Sequence, residues 1–168
     1  MRDALQFYID GRWIDPVAPR QLNVINPATE EVAGRISLGG PADVDAAVAA
    51  ARRAFPAFSQ TSREERLALL GRIATEYQAR YADIAAAITE EMGAPAALAM
   101  NAQAATGIAH LHTAMAVLKD FAFEERRGST TIVREPIGVC VYIFRERERN
   151  STSVHRDTVT ASTELGPH

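Results

Sequence analysis

The 168-residue sequence has one cysteine, one lysine and one tryptophan. A single cysteine, Cys140, excludes an internal disulfide framework and any multi-cysteine metal site. No run of about eighteen apolar residues occurs, so no helix is expected to span a membrane. Neither a Gly-x-Gly-x-x-Gly fingerprint nor a Walker-type phosphate loop is present, which removes the two commonest glycine-rich nucleotide cradles. Charge of one sign is also missing. Eighteen basic against 21 acidic side chains leave a net charge of −3, no field on which to argue for nucleic-acid binding. The opening residues Met1–Gln6 contain no apolar h-region, so the expectation is a cytoplasmic chain without a secretion signal.

What is present fits a globular protein. The apolar fraction is 47% and the charged fraction 23%, too apolar for a disordered chain, and the length suits one domain or one and a small part of another. There are 31 alanines, and 17 of the 18 basic residues are arginine, Lys119 being the exception. That bias is expected of GC-rich coding DNA. Alanine also favours helix.

The first quarter reads as β. Gln6–Ile9 and Arg12–Ile14 flank Asp10-Gly11, a strong short-range hairpin signal because both central residues of a type I′ turn need positive φ. Leu22–Ile25 and Val32–Leu38 form a second pair around Asn26-Pro27-Ala28-Thr29-Glu30-Glu31. Three amphipathic helices are expected next. The first covers 42–55, with Val44, Val48, Ala51 and Phe55 on one face and Pro56 as its stop. The second covers 63–92, opened by a Ser62-Arg63-Glu64-Glu65 capping box. Leu67, Leu70, Ala74, Tyr77, Tyr81, Ile84, Ile88 and Met92 line one face over about 45 Å. Gly93 and Pro95 end it. The third covers 96–121, with Leu98, Ala105, Ile108, Met115, Leu118 and Phe121 on one stripe. In it Gly107 is a weak point, costing about 1 kcal/mol against alanine.

The chain then becomes extended again. Thr130–Arg134 is one expected strand. Ile137–Ile143 is a continuous apolar run, suited to a strand buried on both faces of a parallel sheet. Residues 144–168 change character. Arg145–Arg149 alternate in charge, and Asn150–Thr163 are rich in serine and threonine. The expected division is a domain over 1–143 and a divergent, loose tail over 144–168.

Few residues suggest chemistry. Cys140 sits in an apolar run without a flanking cation, which reads as an inert cysteine. His110 and His112, two apart on a helix, diverge, whereas helical metal pairs need a spacing of four. The pairs Glu30-Glu31, Glu90-Glu91 and Glu124-Glu125 are neighbours in sequence and face different ways. His155 and His168 read as solvated. Asn150-Ser151-Thr152 matches a glycosylation acceptor that lacks a secretion context. No catalytic residue and no metal ligand is assigned.

Four segments in register resemble the aldehyde dehydrogenase family. Tyr8-Ile9-Asp10-Gly11-Arg12-Trp13 resembles its first hairpin, Val24–Val32 its Asn/Asp-Pro-Ala-Thr-x-Glu-Val turn, Ala42–Phe55 its first helix, and Arg134–Cys140 the segment leading into the first strand of its Rossmann-like sheet. The resemblance implies an α/β fold: the N-terminal part of the cofactor-binding domain, with hairpins, three amphipathic helices and an incomplete sheet. It also implies the family reaction, NAD- or NADP-dependent oxidation of an aldehyde to a carboxylate by a cysteine thiolate, with a glutamate activating water.

The sequence departs from the family after Cys140. The family continues Gly-x-Ile-x-Pro-Trp-Asn, whereas here the next residues are Val141-Tyr142-Ile143-Phe144-Arg145-Glu146. Cys140 corresponds to a strand residue of the family, and no residue matches its nucleophile, its glutamate or its oxyanion asparagine. The expectation is therefore a chain truncated before the catalytic residues, inactive alone, without tight NAD or NADP binding. The alternatives are an assembly or regulatory partner, with Thr130–Ile143 pairing with a full-length dehydrogenase or with itself, or a broken-gene product. One candidate cofactor residue remains. Ser162-Thr163-Glu164-Leu165-Gly166 resembles the family's Gly-Ser-Thr-Glu-x-Gly turn at the nucleotide pyrophosphate, with Ala161 in place of glycine.

Overall fold

A computed structural model describes residues 2–144 and 158–164. Strand β1 (Arg2–Ala4) precedes a hairpin of β2 (Phe7–Ile9) and β3 (Arg12–Ile14). Asp10 and Gly11 at its tip have φ of 56° and 77°, the two left-handed positions of a type I′ turn. Strands β4 (Arg20–Ile25) and β5 (Val32–Leu38) form the second hairpin. In its turn Ala28 N–H donates to Asn26 Oδ1 at 2.8 Å, Glu30 N–H donates to the Asn26 carbonyl at 2.7 Å, and Glu30 takes φ 61°. Helices α1 (Pro41–Ser59), α2 (Arg63–Ala79), α3 (Tyr81–Met92) and the single turn α4 (Ala96–Leu98) come next. A π-helical turn over Ala99–Gln103 then leads into α5 (Ala104–Asp120). The remaining strands are β6 (Glu124–Arg127), β7 (Thr130–Val133), β8 (Gly138–Phe144) and β9 (Thr158–Glu164).

The helices differ from the periodicity expectation in three places. Pro56 does not stop α1, which continues to Ser59. Proline removes one N–H yet keeps a helical φ, and here the last turn closes with Gln60 N–H on the Ala57 carbonyl. The expected helix over 63–92 is broken at Arg80, which stands at φ −105°, ψ 15°. No glycine or proline marks that break. On either side of it Tyr77 and Tyr81 pack edge to face, 6.4 Å apart, and their hydroxyls donate to the carbonyls of Ala104 and Met100. The expected helix over 96–121 contains the π turn, where Ala104 N–H reaches back five residues to the Ala99 carbonyl. Such a widened turn takes a carbonyl out of the α ladder, and the Tyr81 hydroxyl supplies a donor to one within it.

The chain divides into two units. One comprises residues 1–5, 20–38 and 61–122. Its sheet has the order β1-β5-β4, with β1 parallel and β4 antiparallel to β5. Arg35, opposite Asp3 in the ladder, donates Nε to Oδ1 at 3.0 Å and Nη2 to Oδ2 at 2.6 Å. The buried cluster of this unit is Ala85, Ala99 and Ala104, with Tyr81, Ile84, Ile88 and Ala94 packed on it. Its smallness reflects composition: alanine lets helix backbones approach closely but removes little area from water. The Ser62–Glu65 capping box forms as expected, the hydroxyl accepting from Glu65 N–H at 3.1 Å and the carboxylate from Ser62 N–H at 2.7 Å. Met92 and Leu98, expected on buried stripes, are half exposed. At the end of α3, Gly93 takes φ 66° and lies against Pro27 and Ala28 of the Asn-Pro-Ala turn.

The other unit comprises residues 6–19, 39–60 and 123–168. Helix α1 packs against β2 and β8 within it. Asp43 and Ala50 lie buried on the inner face of α1, with Val44, Val48, Ala51 and Phe55 half-buried beside them. Strands β6 and β7 pair in register from Glu124↔Val133 to Arg127↔Thr130. Sequence patterning missed β6, since Glu-Glu-Arg-Arg has poor strand propensity. Gly128, at φ 61° in the first place of its two-residue loop, meets the need of a type II′ turn. Strand β8 also differs from expectation. Its described partner is β9, antiparallel, from Gly138↔Glu164 to Phe144↔Thr158. A two-stranded ribbon cannot cover both faces, and Val141 remains 44% exposed. Within the tail expected to be loose, Thr158–Glu164 is thus a strand; residues 145–157 and 165–168 lie outside the described residues.

Candidate functional site

Strand β8, whose entry is one of the four segments resembling the family, is reached through Arg134-Glu135-Pro136-Ile137. An ion cluster fixes this approach. Glu125 Oε1 accepts from Arg127 Nε at 2.7 Å and Oε2 from Arg134 Nη2 at 3.2 Å, while Arg134 N–H donates to the Phe123 carbonyl at 2.8 Å. The hydrogen bond from Arg127, then that from Arg134, holds the Glu125 carboxyl below its ordinary range. Glu125 is therefore committed as a carboxylate acceptor. Glu124, next to it on the strand, faces the other way and is exposed. Gly138 opens β8 at φ 138°, a conformation that favours glycine.

Cys140 lies mid-strand on β8, half-buried. Ser162, the candidate cofactor residue, stands opposite it in the β8–β9 register. Ser162, Thr163 and Glu164 thus belong to a strand, whereas the family motif is a turn; Leu165 and Gly166 lie outside the described residues, as do His155, His168 and Asn150-Ser151-Thr152. His110 and His112 are both exposed on α5. Among the described residues no group of three or more His, Cys, Asp or Glu side chains converges. No described helix is long and apolar enough to cross a membrane.

Glu90 and Glu91 line a small cavity with Arg35, Ala4, Val24, Ala33, Gly34 and Ile36. Its volume of about 30 Å³ has room for a water molecule and none for a dinucleotide.

One carboxylate has a specific structural role that the sequence reading missed. Asp43 is 5% exposed. Its Oδ2 accepts from Gly40 N–H at 2.8 Å and its Oδ1 from Val17 N–H at 3.0 Å. The bond from Gly40, then that from Val17, lowers its pKa against the opposing effect of burial. The spacing Gly40-x-x-Asp43, with Pro41 at the first helical position, is the available signal: glycine has no cap side chain, so the residue at N3 supplies the helix-start acceptor. Asp43 is thereby a positioning group that ties the segment after β3 to the start of α1.

Among the described residues Asp43 is thus committed to backbone N–H groups and Glu125 to two arginines. The chain matches known proteins closely. The profile of the aldehyde dehydrogenase family matches residues 13–144. The chain is 52% identical over 141 residues to 3-succinoylsemialdehyde-pyridine dehydrogenase of a Pseudomonas species, a match covering 83% of this chain and 30% of that protein. Among solved structures, aldehyde dehydrogenase C of Pseudomonas syringae, complexed with NAD+ and octanal, is 44% identical. It aligns with a TM-score of 0.78 over 80% of this chain and 28% of its own. An aldehyde dehydrogenase from Bartonella henselae is 42% identical, with a TM-score of 0.75 over 77% of this chain and 28% of that chain. The expected α/β class, with hairpins, amphipathic helices and small incomplete sheets, agrees with the N-terminal part of these structures. The chain spans about three tenths of the length of the curated relatives it matches, and it belongs to the aldehyde dehydrogenase family.

Proposed function

We propose that these residues are the N-terminal portion of an NAD-linked aldehyde dehydrogenase subunit, and that the 168-residue polypeptide alone neither oxidises aldehydes nor binds NAD tightly. The carrying observation is the match over residues 13–144 set beside the departure of the sequence after Cys140. Where the family resemblance calls for Pro-Trp-Asn after the first Rossmann-like strand, the sequence has Arg145-Glu146-Arg147, so arginine stands in the place of the oxyanion asparagine. Removal of such a donor typically costs about 10²–10³ in turnover even when nucleophile and base remain. Cys140 occupies a strand position of the resemblance, half-buried on β8, and not the position of the family nucleophile. NAD as the family cofactor is supported by the NAD+ complexes of the Pseudomonas syringae enzyme and of a Mycobacterium tuberculosis aldehyde dehydrogenase 27% identical to this chain.

The test is aldehyde-dependent reduction of NAD by the purified polypeptide, followed at the absorbance of NADH. No rate above the protein-free control is expected. A rate that disappears in Cys140→Ala would overturn the proposal.

A second reading is favoured by one observation. Val133, Ile137 and Val141 are 50%, 68% and 44% exposed along and between β7 and β8, and among the described residues each of these strands pairs along one edge. In this reading the segment associates with a dehydrogenase subunit or with a second copy. Co-purification with a full-length dehydrogenase supports it; a monodisperse monomer in the presence of that enzyme rejects it.

A further inference from the structure

The tip of the first hairpin carries a chemistry that turning the chain does not use. Asp10-Gly11 is the one Asp-Gly step in the sequence. The side-chain carbonyl carbon of an aspartate and the backbone nitrogen of the next residue can close a five-membered ring. Bulk on the next residue and a restrained carboxyl group are what resist closure. Gly11 offers no bulk, and nothing lies within 4 Å of the place its Cβ would take. Among the described residues one side chain restrains the carboxylate. Asp10 Oδ2 sits 3.0 Å from Arg53 Nη2 of α1, the two side chains being 51% and 62% exposed.

We propose that Asp10–Gly11 is a site of spontaneous isoaspartate formation and that Arg53 slows it by holding the carboxylate. In the first step the Gly11 nitrogen bonds to Asp10 Cγ, one Cγ–O bond breaks, and that oxygen leaves as water with the amide proton and the carboxyl proton. The product is a cyclic imide. One water then adds to either imide carbonyl. Cleavage of the Cγ–N bond restores aspartate. Cleavage on the other side routes the main chain through Cγ and frees the α-carboxylate, giving isoaspartate. One water leaves and one enters, so no oxidant or co-reactant is required.

The consequence is local and defined. The rerouted backbone is longer by one methylene, and a two-residue type I′ loop has no place for it. The register Ile9↔Arg12 and Tyr8↔Trp13 then loosens, and with it the Tyr8–Trp13 ring contact at 5.3 Å. Because an exposed ion pair is weak and screened by salt, the restraint amounts to a factor of a few in rate and not orders of magnitude.

The experiment ages the full chain and an Arg53→Gln variant at neutral pH, in low and in high salt. Isoaspartate at residue 10 is read from peptides by methylation with isoaspartyl methyltransferase and by resistance to an aspartate-specific protease. The expected result is accumulation at residue 10 in the wild type, a rate several-fold higher in Arg53→Gln, and acceleration by salt in the wild type alone. Gly11→Ala is expected to slow the reaction. Absence of isoaspartate at residue 10 from both proteins, while a urea-unfolded sample of the same chain accumulates it, overturns the site. Equal rates in the wild type and Arg53→Gln overturn the role of Arg53.

Discussion

A methyl group on Gly107 would stand 2.7 Å from Cζ and 3.0 Å from Cε2 of Tyr77, the ring whose hydroxyl donates to the Ala104 carbonyl at 2.9 Å. Helix α5 therefore meets α2 backbone to ring at this point. Gly107→Ala should gain about 1 kcal/mol of helix propensity and lose more to overpacking, about 1–3 kcal/mol. The expected net effect is destabilisation, read as a lower urea midpoint. A rise in the midpoint would show that the Tyr77 ring moves aside freely.

Gly93 and Gly11 separate backbone strain from crowding. Both have positive φ, 66° and 77°. Beside Gly93 a Cβ would lie 2.8 Å from Pro27 Cγ and 3.1 Å from the Ala28 nitrogen, whereas Gly11 faces open space. Gly11→Ala should cost about 1–2 kcal/mol, the left-handed penalty alone. Gly93→Ala should cost about 2–4 kcal/mol, that penalty plus the crowding against the turn. Chemical denaturation of the two variants orders them. Equal costs would remove the contact between the α3 terminus and the Asn26–Glu31 turn as a source of stability.

Pro56 withholds one hydrogen bond from the interior of α1. Pro56→Ala should restore a donor toward the Arg52 carbonyl and raise stability by about 1–2 kcal/mol, the helical gain being offset in part by greater freedom of the unfolded chain. The thermal midpoint is the measurement, and a fall would mean that the ring packs usefully.

Acid stability should depend on three carboxylates with lowered pKa values. These are Asp43, held by Gly40 N–H and then Val17 N–H; Asp3, held by its hydrogen bond to Arg35; and Glu125, held by Arg127 and then Arg134. A group whose folded pKa lies below its unfolded value stabilises fully above the unfolded value, about 4 for a carboxylate. That contribution is lost as pH falls through the folded value. Urea midpoints should therefore be level near neutrality and decline below about pH 4. Salt should weaken the share of Asp3 and Glu125, which act through guanidinium pairs near the surface, and leave that of Asp43, which acts through hydrogen bonds from uncharged backbone N–H groups. Asp43→Asn should flatten part of the decline; an unchanged profile would mean that its two bonds survive protonation.

Much of the local structure was legible because its causes are local. Asp10-Gly11 specified a type I′ hairpin, Asn26-Pro27-Ala28 a turn, and Ser62 with Glu65 a helix start, each through the φ preferences and hydrogen-bonding reach of neighbouring residues. The quoted segments likewise carried the family. The break at Arg80 and the π turn at Ala99–Gln103 were not legible. They arise where Tyr77 and Tyr81 meet the carbonyls of Ala104 and Met100, partners 27 and 19 residues away, and a helical period cannot register such contacts. For the same reason Gly107 read as a defect in isolation and is a contact in the fold.

The candidate site divides along the same line. Residue identities alone placed Cys140 on a strand and left positions after Phe144 without the family's Pro-Trp-Asn, since that is a question of which side chains come next in order. Only the tertiary structure decided that Asp43 is buried and bound by Val17 N–H, that Glu125 is committed to two arginines, and that β8 pairs with β9 in a two-stranded ribbon. Those outcomes depend on which backbone groups and charges come together across long separations, where hydrogen bonding and burial, rather than local preference, set the energy.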